Sequence, residues 1–263
     1  MSHFMVAVMA KDQEDIGRLL EPYDENLEVE PYVQCKKGEL LELAKEKQKR
    51  LLKAKEVLEP IEMKILKAET DEELYQAYRE FAGGNYDEDG NEVTTYNPLT
   101  KWDWYMIGGR YSNVVAVDER NPDVIALGDA EIKDDVRFVD GARIKDIKFN
   151  KMQPTSEVNA IYHWELLNGI IEPKDEDEKM FLLFSNTADM YDDVHDYVLS
   201  ETMFSPYAFI DSSGEWHERG SMGWFGMDDS TKEGRQNFEK EFLGYISSPE
   251  HQDEYMVIVD CHI

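Results

Sequence analysis

The stretch FMVAVM at residues 4–9 decides the fold, and its counterpart is YMVIVDC at residues 255–261. Both segments are short, apolar and rich in β-branched side chains, which is typical of strands buried on both faces of a sheet. If the two strands share one sheet, the chain closes on itself. The sequence therefore predicts an α+β fold with a mixed or antiparallel central sheet, including the N- and C-terminal strands and flanked by helices.

Helical and strand patterns fill the sequence between these two ends. The apolar period predicts helices over residues 12–20, 38–59, 70–82, 156–167, 188–203 and 230–246. Pro60 is predicted to end the second of these, and capping boxes at Thr70 and Ser230 are predicted to begin the third and the last. Apolar runs and turn signals predict strands over residues 104–107, 114–118, 124–127, 136–139, 143–149, 180–184, 206–210 and 216–219. Asp140-Gly141 is a hairpin signal. We expect one domain over residues 1–263, with a helical insertion or flanking layer at about 36–82.

Composition excludes several classes of protein. The 263 residues include 57 acidic and 28 basic side chains, and the net charge is −29. Such a surface repels phosphate backbones, so we do not expect direct nucleic-acid binding. The longest apolar run, at residues 4–10, is too short for a membrane helix, and two cysteines are too few for a disulfide scaffold. We expect a cytoplasmic protein that does not contact membranes.

The segment NPLTKWDWYMIGGRY at residues 97–111 concentrates chemistry-bearing side chains. Aromatic rings can stack on a planar ligand, and basic side chains can hold an anion. The adjacent glycines at 108 and 109 allow the backbone to approach another group closely. The alternative is strand packing with an Asp103–Arg110 ion pair. The candidate ligand-binding residues in this segment are Lys101, Trp102, Asp103, Trp104, Tyr105 and Arg110.

A second segment, EWHERGSMGWFG at residues 215–226, repeats this mixture of aromatic, charged and glycine residues. Such a composition is unusual for a plain surface loop. The alternative is a hairpin whose aromatic side chains cover the edge of the core. The candidate ligand-binding residues here are Trp216, His217, Glu218, Arg219 and Trp224.

The third segment is DCHI at residues 260–263. Asp260 and His262 point the same way on a strand. If the terminal strands are antiparallel, His3 can meet them. A divalent metal is then a candidate cofactor, held by His3, Asp260 and His262. Cys261 is a candidate nucleophile with a histidine partner. The sequence has neither the HExxH nor the paired CxxC motif of common zinc sites.

These three segments, with the opening MSHF, resemble a family of uncharacterised proteins found in bacteriophages and bacterial genomes. The family's members have an MSHF-like start, an NPxxKWDWYxIGGRW-like motif and a VDCHI-like end. Tyr111 stands where the motif has tryptophan, so an aromatic side chain is retained. The resemblance implies a phage- or prophage-linked accessory role in the host-cell cytoplasm, and it implies no particular activity.

Three functional hypotheses follow from these patterns. The first is that the three segments converge in one aromatic, arginine-lined pocket that binds a planar or anionic small molecule, nucleotide-like in character. The second is an acidic inhibitor that imitates DNA and docks on a host protein, because residues 172–201 carry ten acidic side chains and two lysines. The third is a metal-dependent hydrolase. The sequence leaves open whether the protein is an enzyme.

Overall fold

The computed structural model describes residues 2–53, 57–128, 131–133, 135–185, 187–222 and 229–263. The chain divides into two compact units. The larger unit comprises Met1–Glu25 with Leu99–Ile263, and the smaller unit comprises Asn26–Pro98. Within the described residues, no helix is both long enough and apolar enough to cross a lipid bilayer.

The described residues form thirteen strands and eight α-helices. The strands are β1 (His3–Ala10), β2 (Tyr32–Cys35), β3 (Asn85–Tyr86), β4 (Glu92–Thr94), β5 (Trp104–Ile107), β6 (Val115–Asp118), β7 (Val124–Ile125), β8 (Glu131–Lys133), β9 (Val136–Val139), β10 (Gly141–Arg143), β11 (Ala208–Ile210), β12 (Trp216–Glu218) and β13 (Tyr255–His262). The helices are α1 (Asp15–Leu20), α2 (Lys37–Leu51), α3 (Pro60–Lys67), α4 (Asp71–Ala82), α5 (Glu157–Leu167), α6 (Glu176–Phe184), α7 (Val194–Thr202) and α8 (Lys232–Ser247).

The larger unit is built on a seven-stranded sheet. Six of its strands follow the order β12-β11-β1-β13-β10-β7, and the seventh, β5, pairs with β13. Strands β1 and β13 are antiparallel along their whole length, whereas β1 and β11 are parallel. The other edge of β13 pairs with β10 near its start and with β5 near its end. The predicted mixed α+β sheet containing both terminal strands is therefore confirmed.

Successive side chains of a strand point to opposite faces of the sheet. The apolar core is therefore divided into two clusters, one on each face of the central sheet. Phe4, Val6 and Val8 lie in one apolar cluster with the buried leucines of α1. Ala7 and Met9 lie in the other cluster, which also contains apolar side chains of α8 and of β6 and β9. Strands β6, β9 and β8 form a separate three-stranded sheet. Burial on both faces explains why β1 and β13 are the most apolar segments.

The hairpin predicted at Asp140-Gly141 is wrong, because the chain changes sheets there. Strand β9 pairs with β6 and β8, whereas β10 pairs with β13 and β7. The Asp140 carboxylate is buried and accepts hydrogen bonds from the backbone N–H of Asn113 at 3.1 Å and of Leu127 at 2.9 Å. These long-range bonds place the residue at a junction between sheets, where a tight turn would leave its carboxylate unsatisfied.

The strand predicted over residues 180–184 is also wrong, because these residues complete helix α6. Asp175 caps the helix by accepting a hydrogen bond from the N–H of Glu178, and acidic residues fill the first turn. Capping and the helix dipole therefore decide the conformation of an apolar run that resembles a strand. Leu183 and Phe184 remain exposed.

Smaller differences concern where elements begin and end. Pro60 starts α3, where a missing N–H costs nothing, although we predicted that it ends the preceding helix. The strand predicted from 143 to 149 stops at Arg143 and continues as short 3₁₀ turns. The helix predicted from 188 becomes regular only at Val194, after the cap Asp193. The cap of α8 is Thr231 rather than Ser230.

The smaller unit combines helices α2, α3 and α4 with a three-stranded sheet in the order β2-β4-β3. Ala44, Leu51, Ile65 and Leu74 form its helical core. The capping box predicted at Thr70 is confirmed, since its hydroxyl accepts a hydrogen bond from the N–H of Glu73. Most of the helical stretch predicted at about 36–82 therefore lies in this unit.

Candidate functional site

The terminal strands bring two histidines together at one end of the central sheet. In the antiparallel register of β1 and β13, His3 lies opposite His262 and Met5 lies opposite Asp260. Alternate residues of a strand face the same way, so His3, Asp260 and His262 share one face of the sheet. Of the two orientations that the sequence left open, the structure has the one in which these side chains meet.

Strand β5 adds a tryptophan to this pair. Trp104 lies opposite His262 in the register, and its ring stacks on that imidazole at 5.3 Å between centroids and 15° between planes. It also meets the His3 ring edge-on at 5.4 Å. The two histidine rings lie 5.0 Å apart. We call His3, Trp104 and His262 the ring cluster. Trp104 is 40% exposed, so the cluster reaches the surface.

Each histidine of the ring cluster is oriented by its own carboxylate. The His3 Nδ1 lies 2.9 Å from Asp260 Oδ1, and the His262 Nδ1 lies 2.6 Å from Asp103 Oδ1. A carboxylate accepts hydrogen bonds, so each Nδ1 carries the hydrogen. The opposite nitrogen, Nε2, then accepts a hydrogen bond in the neutral ring and donates one in the protonated ring. Two imidazoles with defined tautomers therefore meet at one place.

The glycine pair after β5 lets the backbone approach Asp260. Gly108 and Gly109 have φ values of +70° and +55°, which favour glycine. A Cβ at Gly109 would lie 2.5 Å from the Asp260 Cβ. The next N–H, that of Arg110, donates to Asp260 Oδ2 at 3.0 Å. Close approach at this pair is confirmed, and the exposed Arg110 side chain follows directly. The predicted Asp103–Arg110 pair gives way to Asp103–His262.

A second group of candidate ligand-binding residues lies beside the core cluster that contains Phe4. Lys101 Nζ pairs with Glu218 Oε1 at 2.6 Å, and Trp216 Nε1 donates to Glu218 Oε2 at 2.8 Å. These three residues line a cavity of about 160 Å³, and we call them the cavity group. Trp216 packs with the cluster that contains Phe4, on the face opposite the ring cluster. Two sites on two faces therefore replace the single pocket that the sequence suggested.

The remaining candidates are placed elsewhere. Trp102 is buried in the core, with Tyr105 edge-on to it at 5.1 Å. His217 follows Trp216 on the strand and therefore faces the other way, with its ring stacked on Phe209 at 4.3 Å. The guanidinium of Arg219 lies over the Tyr207 ring at 5.4 Å. The predicted site residue Trp224 lies outside the described residues.

The candidate nucleophile Cys261 does not face the ring cluster. It alternates with Asp260 and His262 on β13, and its side chain belongs to the core cluster on the opposite face. Burial raises the pKa of the Cys261 thiol, with the nearby Asp260 carboxylate adding to the effect. The thiol therefore remains protonated at neutral pH, which argues against a nucleophilic role.

The metal candidates separate into two places. Asp260 and Asp103 hold the Nδ1 atoms of the paired histidines, so the two Nε2 atoms are the ring nitrogens that these carboxylates do not engage. Within the described ranges, only Asp211, Glu215 and His217 bring three ligand atoms within 4.8 Å of one another. Asp211 and Glu215 were not among the residues predicted from the sequence. Their position between the predicted strands at residues 206–210 and 216–219, close to His217, was the signal that could have found them.

Much of the acidic stretch 172–201 is used within the fold. Asp175 and Asp193 cap α6 and α7. Asp196 pairs at 2.7 Å with the buried Arg235 of α8. Glu201 is partly buried and lines a cavity of about 180 Å³ together with Arg219 and Arg235. Seven of the ten acidic side chains nevertheless remain exposed, so the stretch also contributes acidic surface.

We find no family model, no curated protein and no solved structure that matches this chain. The resemblance to phage and bacterial proteins therefore stays a prediction.

Proposed function

We propose that the protein binds a small anionic molecule with a planar group, nucleotide-like in character, at the ring cluster. One observation carries the proposal: two histidines, each held by a carboxylate through Nδ1, meet beside a tryptophan that stays 40% exposed. In the phage- or prophage-linked setting that the sequence resemblance implies, such an accessory protein would sequester or sense a molecule of the host.

The charges of the site suit an anion when its two imidazoles are protonated. When both imidazoles are protonated, their charges balance those of Asp103 and Asp260, and the exposed Arg110 adds one positive charge. Each Nε2–H can then donate a charge-assisted hydrogen bond to a phosphate or carboxylate oxygen.

Trp104 supplies the surface for the planar group. His262 lies against its ring and His3 meets it edge-on, so the indole is held in one orientation. A rigid, partly exposed aromatic ring gives stacking contacts without a large loss of side-chain entropy.

A second candidate function is acid–base catalysis by the same two histidines. The observation that favours it is the pair of Asp–His hydrogen bonds, because a carboxylate at Nδ1 fixes the tautomer that a general base or acid needs. One neutral and one protonated imidazole, 5.0 Å apart, can remove a proton from an attacking group and donate one to a leaving group. Ester or phosphoester cleavage is the class of reaction that this arrangement suits.

Isothermal titration of the full chain with adenosine 5′-monophosphate, adenosine and inorganic phosphate tests the binding proposal. We expect the monophosphate to bind more tightly than either of its parts, because its phosphate can accept hydrogen bonds from the histidines while its base stacks on Trp104. His262→Asn and Trp104→Leu should each weaken binding at least about tenfold, whereas the control His251→Asn should not. Absence of binding by all three probes, or binding unchanged in His262→Asn, would contradict the proposal.

Hydrolysis of bis(p-nitrophenyl) phosphate at a series of pH values tests the second candidate. A bell-shaped profile that is lost in both His3→Asn and His262→Asn would support acid–base catalysis. Binding of the monophosphate without hydrolysis of this probe would leave the binding function alone.

A further inference from the structure

The hairpin between β11 and β12 gathers three metal-ligating side chains. Asp211, Glu215 and His217 each offer one ligand atom, and these atoms all lie within 4.8 Å of one another. We propose that this hairpin binds a divalent transition-metal ion. The group shares no residue with the ring cluster, so this inference goes beyond the proposed function.

Asp211 is oriented for such a role by the turn itself. Its Oδ1 accepts hydrogen bonds from the N–H of Ser213 at 2.8 Å, the hydroxyl of Ser213 at 2.7 Å and the N–H of Glu215 at 3.0 Å. Because Oδ1 is fully used, Oδ2 is the oxygen left to bind an ion, and it faces His217.

His217 presents a buried nitrogen to the same point. Its ring stacks on Phe209 with 6° between the planes, and Nδ1 lies 3.5 Å from Glu241 Oε2. The opposite atom, Nε2, is buried and has no hydrogen-bond partner in the part of the chain that the structure describes. It lies 3.5 Å from Asp211 Oδ2. A buried polar atom of this kind requires a partner, and an ion held between Nε2 and Oδ2 would supply one.

The donor set indicates the class of ion. One imidazole nitrogen and two carboxylate oxygens suit zinc and manganese, whereas calcium and magnesium prefer oxygen ligands alone. The position of Glu241 beyond Nδ1 follows the order carboxylate, histidine, metal that is usual in protein sites. Three protein ligands leave room for water in the coordination sphere.

Calorimetric titration of the full chain with ZnCl₂, MnCl₂ and CaCl₂, after removal of metals with a chelator, tests the inference. We expect one tight zinc site per chain and weaker binding of calcium. Glu215→Gln and His217→Gln should each lower the zinc affinity about tenfold or more. His262→Asn should leave it unchanged.

His251 provides a matched control. It lies 3.5 Å from Glu250 and 3.3 Å from Glu254, and it stacks on Tyr245 at 3.8 Å between centroids. Its surroundings therefore resemble those of His217, but among the described residues it belongs to no group of three that could hold a metal ion. His251→Gln should bind zinc as the unmodified protein does.

Absence of zinc binding, or affinity that is unchanged in both hairpin variants, would overturn the inference. The Glu215 side chain is exposed, so Glu215→Gln keeps the test decisive even if His217→Gln fails to fold. Loss of zinc only in His262→Asn would move the metal to the ring cluster and would also overturn it. The phosphate-ligand titrations address different residues, so the two proposals can fail separately.

Discussion

The ring cluster and the group formed by Lys101, Trp216 and Glu218 lie on opposite faces of the central sheet. They contain similar residue types but differ in how these side chains are paired. In the cavity group, Lys101, Trp216 and Glu218 satisfy one another, and both Glu218 oxygens have partners. In the ring cluster, each carboxylate engages only one nitrogen of its histidine. Similar residue types therefore do not by themselves identify a binding site, because in the cavity group they are already paired with one another.

The largest effect is expected from Gly109→Ala. The new Cβ would lie 2.5 Å from the Asp260 Cβ, at a φ of +55°. Strain and overpacking together should cost about 3–5 kcal/mol of unfolding free energy, measured by urea denaturation. Gly244→Ala is the control, because no atom lies within 4 Å of its added Cβ, and a helical alanine should stabilise by about 0.5–1 kcal/mol. Equal stability of the two variants would contradict the geometry at Asp260.

The next largest effect separates the two carboxylates. Asp260 is 2% exposed and accepts hydrogen bonds from His3 and from the backbone of Arg110. Asp260→Asn should therefore cost about 2–4 kcal/mol, because a buried charged partner is lost. Glu218→Gln should cost less than about 1 kcal/mol, because its pair with Lys101 is partly solvated. Equal costs in chemical denaturation would show that the two faces do not differ in this way.

Substitution of the two tryptophans should affect stability and binding in opposite order. Trp216→Leu removes the hydrogen bond to Glu218 and some core packing, so we expect a loss of about 1–2 kcal/mol with ligand binding retained. Trp104→Leu should change stability by less than about 1 kcal/mol, because the side chain is 40% exposed, yet it should abolish stacking. Weaker monophosphate binding in Trp216→Leu than in Trp104→Leu would exchange the roles that we assign to the two faces.

The smallest effect concerns Glu201, a partly buried carboxylate with no hydrogen-bond donor among the described residues. Burial raises its pKa, so ionisation destabilises the folded state once the pH exceeds the folded pKa. Glu201→Gln should therefore raise the melting temperature modestly at pH 7, and the gain should disappear near pH 4, where the carboxyl is protonated in both states. The exposed Glu250→Gln is the control. A gain that is independent of pH would contradict the assigned cause.

The sequence predicted the central strands but could not predict their relative direction. Apolar runs such as residues 4–9 report burial on both faces, and they carry no information on whether β1 and β13 are parallel or antiparallel. The meeting of His3 with His262 depended on that direction. By contrast, the separation of Trp216 from His217 follows from strand alternation alone and was within reach of the sequence.

Other errors came from competing local signals. The run at 180–184 resembles a strand by composition, but the cap at Asp175 and the acidic first turn favour a helix. Asp140-Gly141 has the composition of a hairpin turn, but the Asp140 carboxylate instead accepts hydrogen bonds from backbone N–H groups 13 and 27 residues away in the sequence. Long-range hydrogen bonds of this kind are invisible to a window of neighbouring residues.

The ring cluster can form only after β1 has paired with β13, because His3 and His262 lie on these two strands. The hydrogen bond between His3 and Asp260 spans 257 positions of the chain. Closing so long a loop is slow and entropically costly, and during synthesis residue 3 leaves the ribosome long before residue 260 is added. A shortened translation product that lacks β13 would therefore retain the sequence of the eight described α-helices but could not form the ring cluster.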